Sequence, residues 1–219
     1  YNPIVHFPDL YAHEESIRAE GLKDYYVSPL GQRRFYTPVR FIEPFESNKY
    51  ALGYDTYSET DRRMAMDLSL AMQQPVVSKK ILLVQSDPLE PEKAVIMFYP
   101  HHRFDNEVPL SAKNGELLGW LAIVISLDRL FGNTLLSETD LLFTDIFVGS
   151  HENENSLVYS NVPKTNTPQL TNLMSTTETV GNRDWTFKFS TPTNTLLSNS
   201  ERNKILVVDI TVGLILSML

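Results

Sequence analysis

The stretch ALGYDTYSETDRRMAMDLSLAM, Ala51 to Met72, sets Tyr54-Asp55 and Arg62-Arg63 around the start of a helical run. A guanidinium is a planar fork of N–H donors whose edge matches a carboxylate. The N-terminus of a helix favours acids, because the macrodipole is positive there. Two arginines at that end therefore ask for a negative partner. Asp55, Glu59 or Asp61 could supply it, with Arg62 or Arg63 tied to Asp55 to fix the loop. An anionic ligand such as a carboxylate could equally supply it, and both possibilities stay open at this level.

Other chemistry finds little support. The histidines His6, His13, His101, His102 and His151 include no second histidine at zincin spacing. His101-His102 falls in a polar stretch where a solvated loop pair is the expectation, and two adjacent histidines carry no ligand spacing. The chain has no cysteine, which excludes disulfides, thiolate nucleophiles and cysteine metal sites. No G-x-S-x-G elbow, P-loop or dinucleotide fingerprint appears. The acids Glu14-Glu15 and Glu152, Glu154 lie in polar runs that suit a solvated face. No catalytic residue, metal or cofactor is expected, and a secreted hydrolase lacks its nucleophile and base. A net charge of −8 without a basic cluster argues against a nucleic-acid partner.

The elements that must position the arginines can be read in outline. The hydrophobic fraction of 42% and 219 residues allow a sizeable core in one domain or two. IVHF is expected as a short strand, and PDLYAHEESIRAEGLKDY as a helix with Asp9 near its start and Gly21 where a helix commonly ends in a left-handed residue. YYVSPL and RRFYTPVRFIEPF suggest two strands, the second kept from a central position by Pro38 and Pro44. Ser58 to Asp61 has the form of a capping box for the next helix. Met64, Leu68, Ala71 and Met72 recur as its apolar face, and Pro75 stops it. KILLVQ and KAVIMFY are apolar strands joined by the proline-rich SDPLEPE. The polar PHHRFDNEVPLSAKNGE marks a crossing to a second unit. There LLGWLAIVI reads as a buried strand, and Ser126 as a cap for LDRLFGNTLL. LLFTDIFVG and SLVYS follow as strands, and a hairpin turns at Gly181-Asn182 with Trp185, Phe187 and Phe189 on one face. The fold class is α+β, as two units that each lay a helix on an antiparallel sheet.

Ile205 to Leu219, ILVVDITVGLILSML, is almost wholly apolar. It is shorter than the roughly 20 residues of a bilayer span. The expectation for 201–219 is the start of a transmembrane helix with Asp209 near the interface; a buried terminal element is the alternative. No secretory leader is visible ahead of Tyr1.

These blocks together resemble the CHASE domain. FIEPFESNKYALGYD, Arg62-Arg63, QQPVVSKKILLVQ, Tyr99-Pro100, GWLAIVISLDRLF and DWTFKFST occur in that family's order between about Pro8 and Ser200. The resemblance implies an extracytoplasmic sensor set between two membrane helices. It implies a stalk helix ahead of Tyr1 and two PAS-like subdomains in tandem, here 1–113 (membrane-distal) and 114–200 (membrane-proximal). It also implies a homodimer formed through that stalk, anchored in the inner membrane with the sensor in the periplasm. The cytoplasmic output would be of histidine kinase or cyclic-di-GMP enzyme type. A membrane-tethered protein-binding module with no small-molecule ligand is the alternative. The implied small-molecule site comprises Tyr54, Asp55, Arg62, Arg63, Ser78, Leu83, Gln85 and Phe98. In plant members of the family the ligand is a cytokinin. Their acid falls at Arg62, their small hydroxyl at Ser78 and their strand threonine at or beside Phe98. Two of these three depart from the plant pattern, so a cytokinin-like adenine is not carried over. For Tyr54, Trp120 and Gln85, ordinary core or strand packing is the competing expectation.

Overall fold

The structure is a computed structural model in which residues 1–83, 92–103, 115–132, 142–149, 151–166 and 168–193 are described. The chain divides into two compact units, one of Tyr1–Pro91 with Ile96–Val124, the other of Glu92–Val95 with the residues from Ile125 onward.

The first unit begins with β1 (Asn2–Pro3), β2 (Val5–His6), α1 (Leu10–Ala19) and β3 (Phe35–Tyr36). It continues through α2 (Phe45–Asn48), α3 (Thr60–Met72), β4 (Val76–Val77) and β5 (Ile81–Leu82). Two long strands, β6 (Lys93–Arg103) and β7 (Glu116–Ser126), complete it, and each gives a few residues to the other unit. The main sheet runs β1-β7-β6-β4, with β5 also on β6, and β2 pairs β3 separately. Ala94 to Phe98 are all buried, the signature of a strand covered on both faces. α1 is held by a small core in which its Ile17 meets Tyr25, Val27 and Tyr36.

Several expectations change here. Of the two strands anticipated between residues 25 and 45, only Phe35–Tyr36 pairs, against Val5–His6. Elsewhere Ser28 and Pro38 make isolated bridges to Tyr54 and Asp55. Pro29, Pro38 and Pro44 lack the N–H groups that a longer ladder needs. The apolar face anticipated for α3 is its exposed one: Met64, Leu68 and Met72 are 50%, 41% and 42% exposed. Arg62, Ala65, Met66 and Ser69 are the residues that face inward. Both stripes have helical spacing, and the pinning contact decides between them. The Trp120 indole N–H reaches the Met66 carbonyl at 3.2 Å and the Ser69 hydroxyl at 3.1 Å. β7 is half-exposed rather than buried, with Leu121, Ile123 and Val124 open to solvent. His101 and His102 lie on β6, not in a loop, and as neighbours on a strand point to opposite faces. Segments 84–91 and 104–114 lie outside the described residues, as does the continuation of LDRLFGNTLL past 132.

The second unit adds α4 (Leu127–Gly132), β8 (Phe143–Val148), β9 (Leu157–Ser160), β10 (Leu170–Val180) and β11 (Arg183–Pro192). Its antiparallel sheet has the order β10-β11-β8-β9. The turn between β10 and β11 falls at Gly181 and Asn182, both at positive φ (55° and 62°), as a two-residue type I′ hairpin requires. The register that follows puts Trp185, Phe187 and Phe189 on the buried face. Phe131 of α4 packs on that face, edge-on to Phe187 and tilted against Trp185 and Tyr159. Both units are thus built from antiparallel sheet with few helices.

Among the described residues no helix is long and apolar enough to cross a membrane; residues 201–219 lie outside them.

Gly119 sits at φ +153°, opposite Pro3 in the β1–β7 pair, where a Cβ would meet the Asn2 carbonyl oxygen. Gly149 also has positive φ (115°) but faces open space. Gly119→Ala is expected to destabilise the fold by about 1–3 kcal/mol, and Gly149→Ala by less. Chemical denaturation of the two variants checks the difference.

Candidate functional site

The segment Ala51–Glu59 is stitched to the residues before it by backbone contacts. The Ser28 N–H donates to the Gly53 carbonyl at 2.9 Å, the Val39 N–H to Tyr54 at 3.0 Å, and the Thr56 N–H to Thr37 at 3.1 Å. Gly53 is required here: its φ is +79°, and a Cβ would run into the Tyr26 carbonyl oxygen.

Asp55 sits at the centre of this seam with 0% exposure. Its Oδ1 accepts the Thr37 N–H at 2.9 Å and the Thr37 hydroxyl at 3.4 Å. Its Oδ2 meets Arg33 Nη1 at 3.5 Å and has no hydrogen-bond partner among the described residues. Burial raises the carboxyl above its usual range, against the hydrogen bonds from Thr37 and Tyr57 and the charge of Arg33, which pull it down. The internal tie anticipated between Asp55 and Arg62 or Arg63 is therefore not the one formed. Its cation comes from Arg33, which the sequence did not single out.

The start of α3 also differs from expectation. Its cap is Glu59, whose carboxylate accepts the N–H groups of Asp61 at 3.0 Å and Arg62 at 2.9 Å. Ser58 instead donates its hydroxyl to the Asp55 carbonyl. Glu59 thus satisfies two of the free N–H donors of the first turn and lies favourably in the helix dipole.

Arg62 projects inward from that turn and is only 5% exposed. Its Nη1 donates to the Tyr54 hydroxyl at 2.6 Å and its Nη2 to the Leu82 carbonyl at 2.9 Å. The guanidinium carbon stands 4.9 Å from the centre of the Tyr54 ring. Both oxygens are neutral, and no acidic side chain pairs with Arg62 among the described residues. Asp61 pairs with Lys79 at 3.3 Å. Among the described residues Arg62 Nε is buried with no acceptor, and a buried donor left unpaired costs about 1–3 kcal/mol. A cation this deep normally has a counter-charge.

The remaining expected residues fall into two groups. Arg63, next on the helix and so turned about 100° away, donates to the Tyr57 carbonyl at 3.4 Å and the Thr60 hydroxyl at 3.3 Å. Its guanidinium lies over the Tyr57 ring, 5.8 Å from its centre. The Tyr57 hydroxyl donates to Asp67, and burial and that carboxylate push its pKa up to about 12. Ser78 is fully buried; its hydroxyl accepts the Ile96 N–H at 3.0 Å and donates to the Lys79 carbonyl at 2.7 Å, which makes it a β4–β6 staple. Phe98 is fully buried opposite Val76, and Leu83 is buried beside the Leu82 carbonyl that Arg62 uses. Gln85 lies outside the described residues. The structure therefore joins Tyr54 and Arg62 directly, and Asp55 to them through its chain neighbour Tyr54. Trp120 is a core residue. Among the described residues no cluster of three or more acids or histidines could hold a metal.

Residues 1–159 match the family model described as the CHASE domain. No curated protein matches the chain.

Because burial raises the Asp55 carboxyl in the folded state, the fold binds that proton more tightly than the unfolded chain does. The resulting stability is complete below the ordinary value of 3.8 and is lost as pH rises through the folded-state value. Wild type is thus expected to gain stability relative to Asp55→Asn as the pH is lowered through that window. Urea midpoints of the two proteins across acidic pH check the sign.

Proposed function

The chain belongs to the CHASE domain family, the extracellular, non-catalytic sensor modules of membrane receptors; from this premise we propose that it binds a small molecule in its first unit, around Tyr54 and Arg62. The sensor would stand in the periplasm, anchored in the inner membrane, as the input of a receptor of histidine kinase or cyclic-di-GMP enzyme type. Its two units would correspond to PAS-like subdomains in tandem, with the receptor paired as a homodimer. Occupancy would act by preferring one of two states of the receptor, since a ligand shifts an equilibrium only by its difference in affinity for the two.

The observation that carries the binding site is Arg62. A guanidinium withdrawn from water, with donors in hand and only neutral oxygens around it among the described residues, is poor as a structural device. Replacing such a group by an apolar side chain is commonly neutral or favourable in a core. Its presence at the buried start of α3, beside an aromatic hydroxyl, fits a site that is completed from outside.

A ligand that binds only the folded chain raises its melting temperature in proportion to the logarithm of concentration once saturating. A thermal-shift screen with soluble metabolites of positive, neutral and negative charge is expected to yield at least one saturable rise. A flat result across all three charge classes would favour the protein-binding module.

A further inference from the structure

We propose that the ligand presents a carboxylate, and that Arg62 is the residue that receives it; this rests on the sensor reading above and specifies its chemistry. Three observations converge. Arg62 is buried and its Nε–H has no acceptor among the described residues. Of the five N–H donors of a guanidinium, one on Nη1 and one on Nη2 are engaged, by Tyr54 and Leu82. The acids that stand nearest in sequence are committed elsewhere: Asp55 to Arg33 and Thr37, Glu59 to the helix N–H groups, Asp61 to Lys79.

Tyr54 adds a donor. Its hydroxyl oxygen accepts from Arg62, which leaves the hydroxyl proton to be given to an oxyanion. A carboxylate on Nε–H and a remaining Nη–H, with the Tyr54 proton beside it, would neutralise the guanidinium through charge-assisted hydrogen bonds. A single negative charge suits the site better than a phosphate dianion. Arg63 leaves the helix in another direction and is held by Tyr57 and Thr60, and Lys79 is matched by Asp61. Arg62 is thus the one cation among these three that faces the buried side of α3.

The test uses paired probes on the whole chain: water-soluble carboxylic acids as sodium salts, their primary amides, inorganic phosphate, and adenine as a neutral heterocycle, at constant ionic strength. At least one acid is expected to raise the melting temperature by several degrees while its amide does not. For that acid, Arg62→Gln is expected to weaken binding about 10- to 100-fold, and Arg62→Lys to fall between it and wild type. Arg63→Gln is expected to bind as wild type does. Shifts from amides, adenine or phosphate with none from acids would overturn the carboxylate and leave the sensor standing. No shift from any probe would overturn both. Wild-type affinity in folded Arg62→Gln, with its circular dichroism unchanged, would overturn the role of Arg62; should that variant not fold, unweakened binding by Arg62→Lys would do so.

Discussion

The first unit depends on a buried carboxylate in a region with little regular structure. Between the end of α1 and the start of α3 the only ladder among the described residues is a two-residue pairing with β2. Asp55 supplies what a sheet would otherwise provide. It binds the Thr37 backbone and hydroxyl, faces Arg33, and carries its own N–H to the Ser28 carbonyl. Loops normally stay at the surface because their polar backbone groups need partners. Here the carboxylate lets one be buried. The tightness is visible at Gly53, where the chain passes too near the Tyr26 carbonyl for any side chain.

The direction in which α3 leaves this knot follows from it. Ser58 is tied back to Asp55, Glu59 caps the first turn, and Trp120 grips the helix two turns later at Met66 and Ser69. These contacts fix the rotation of the helix about its axis. That rotation turns Arg62 inward and Met64, Leu68 and Met72 outward. The charge pattern is a consequence as well: with Arg33 drawn to Asp55 and Lys79 to Asp61, Arg62 is left, among the described residues, with neutral oxygens.

Ser78 and Phe98 serve the fold. The Ser78 hydroxyl closes the link between β4 and β6, and Phe98 fills the core behind it.

Local features were legible in the sequence, because their causes lie within a few residues of one another. The Gly181-Asn182 turn needs two residues that tolerate positive φ, and it carries the register that buries Trp185, Phe187 and Phe189. The α+β class and the family motifs were readable in the same way. What only the tertiary structure decided are choices between local equals. Two stripes on α3 have the same period, and a contact from Trp120, far along the chain, selects one. Asp55 had acceptable partners seven and eight residues away in Arg62 and Arg63, yet a seam of backbone bonds brings Arg33 to it instead. Spacing shows which groups could meet, but which of them do is settled by the packing of distant segments, as the Asp55 carboxylate takes the arginine that the backbone brings to it.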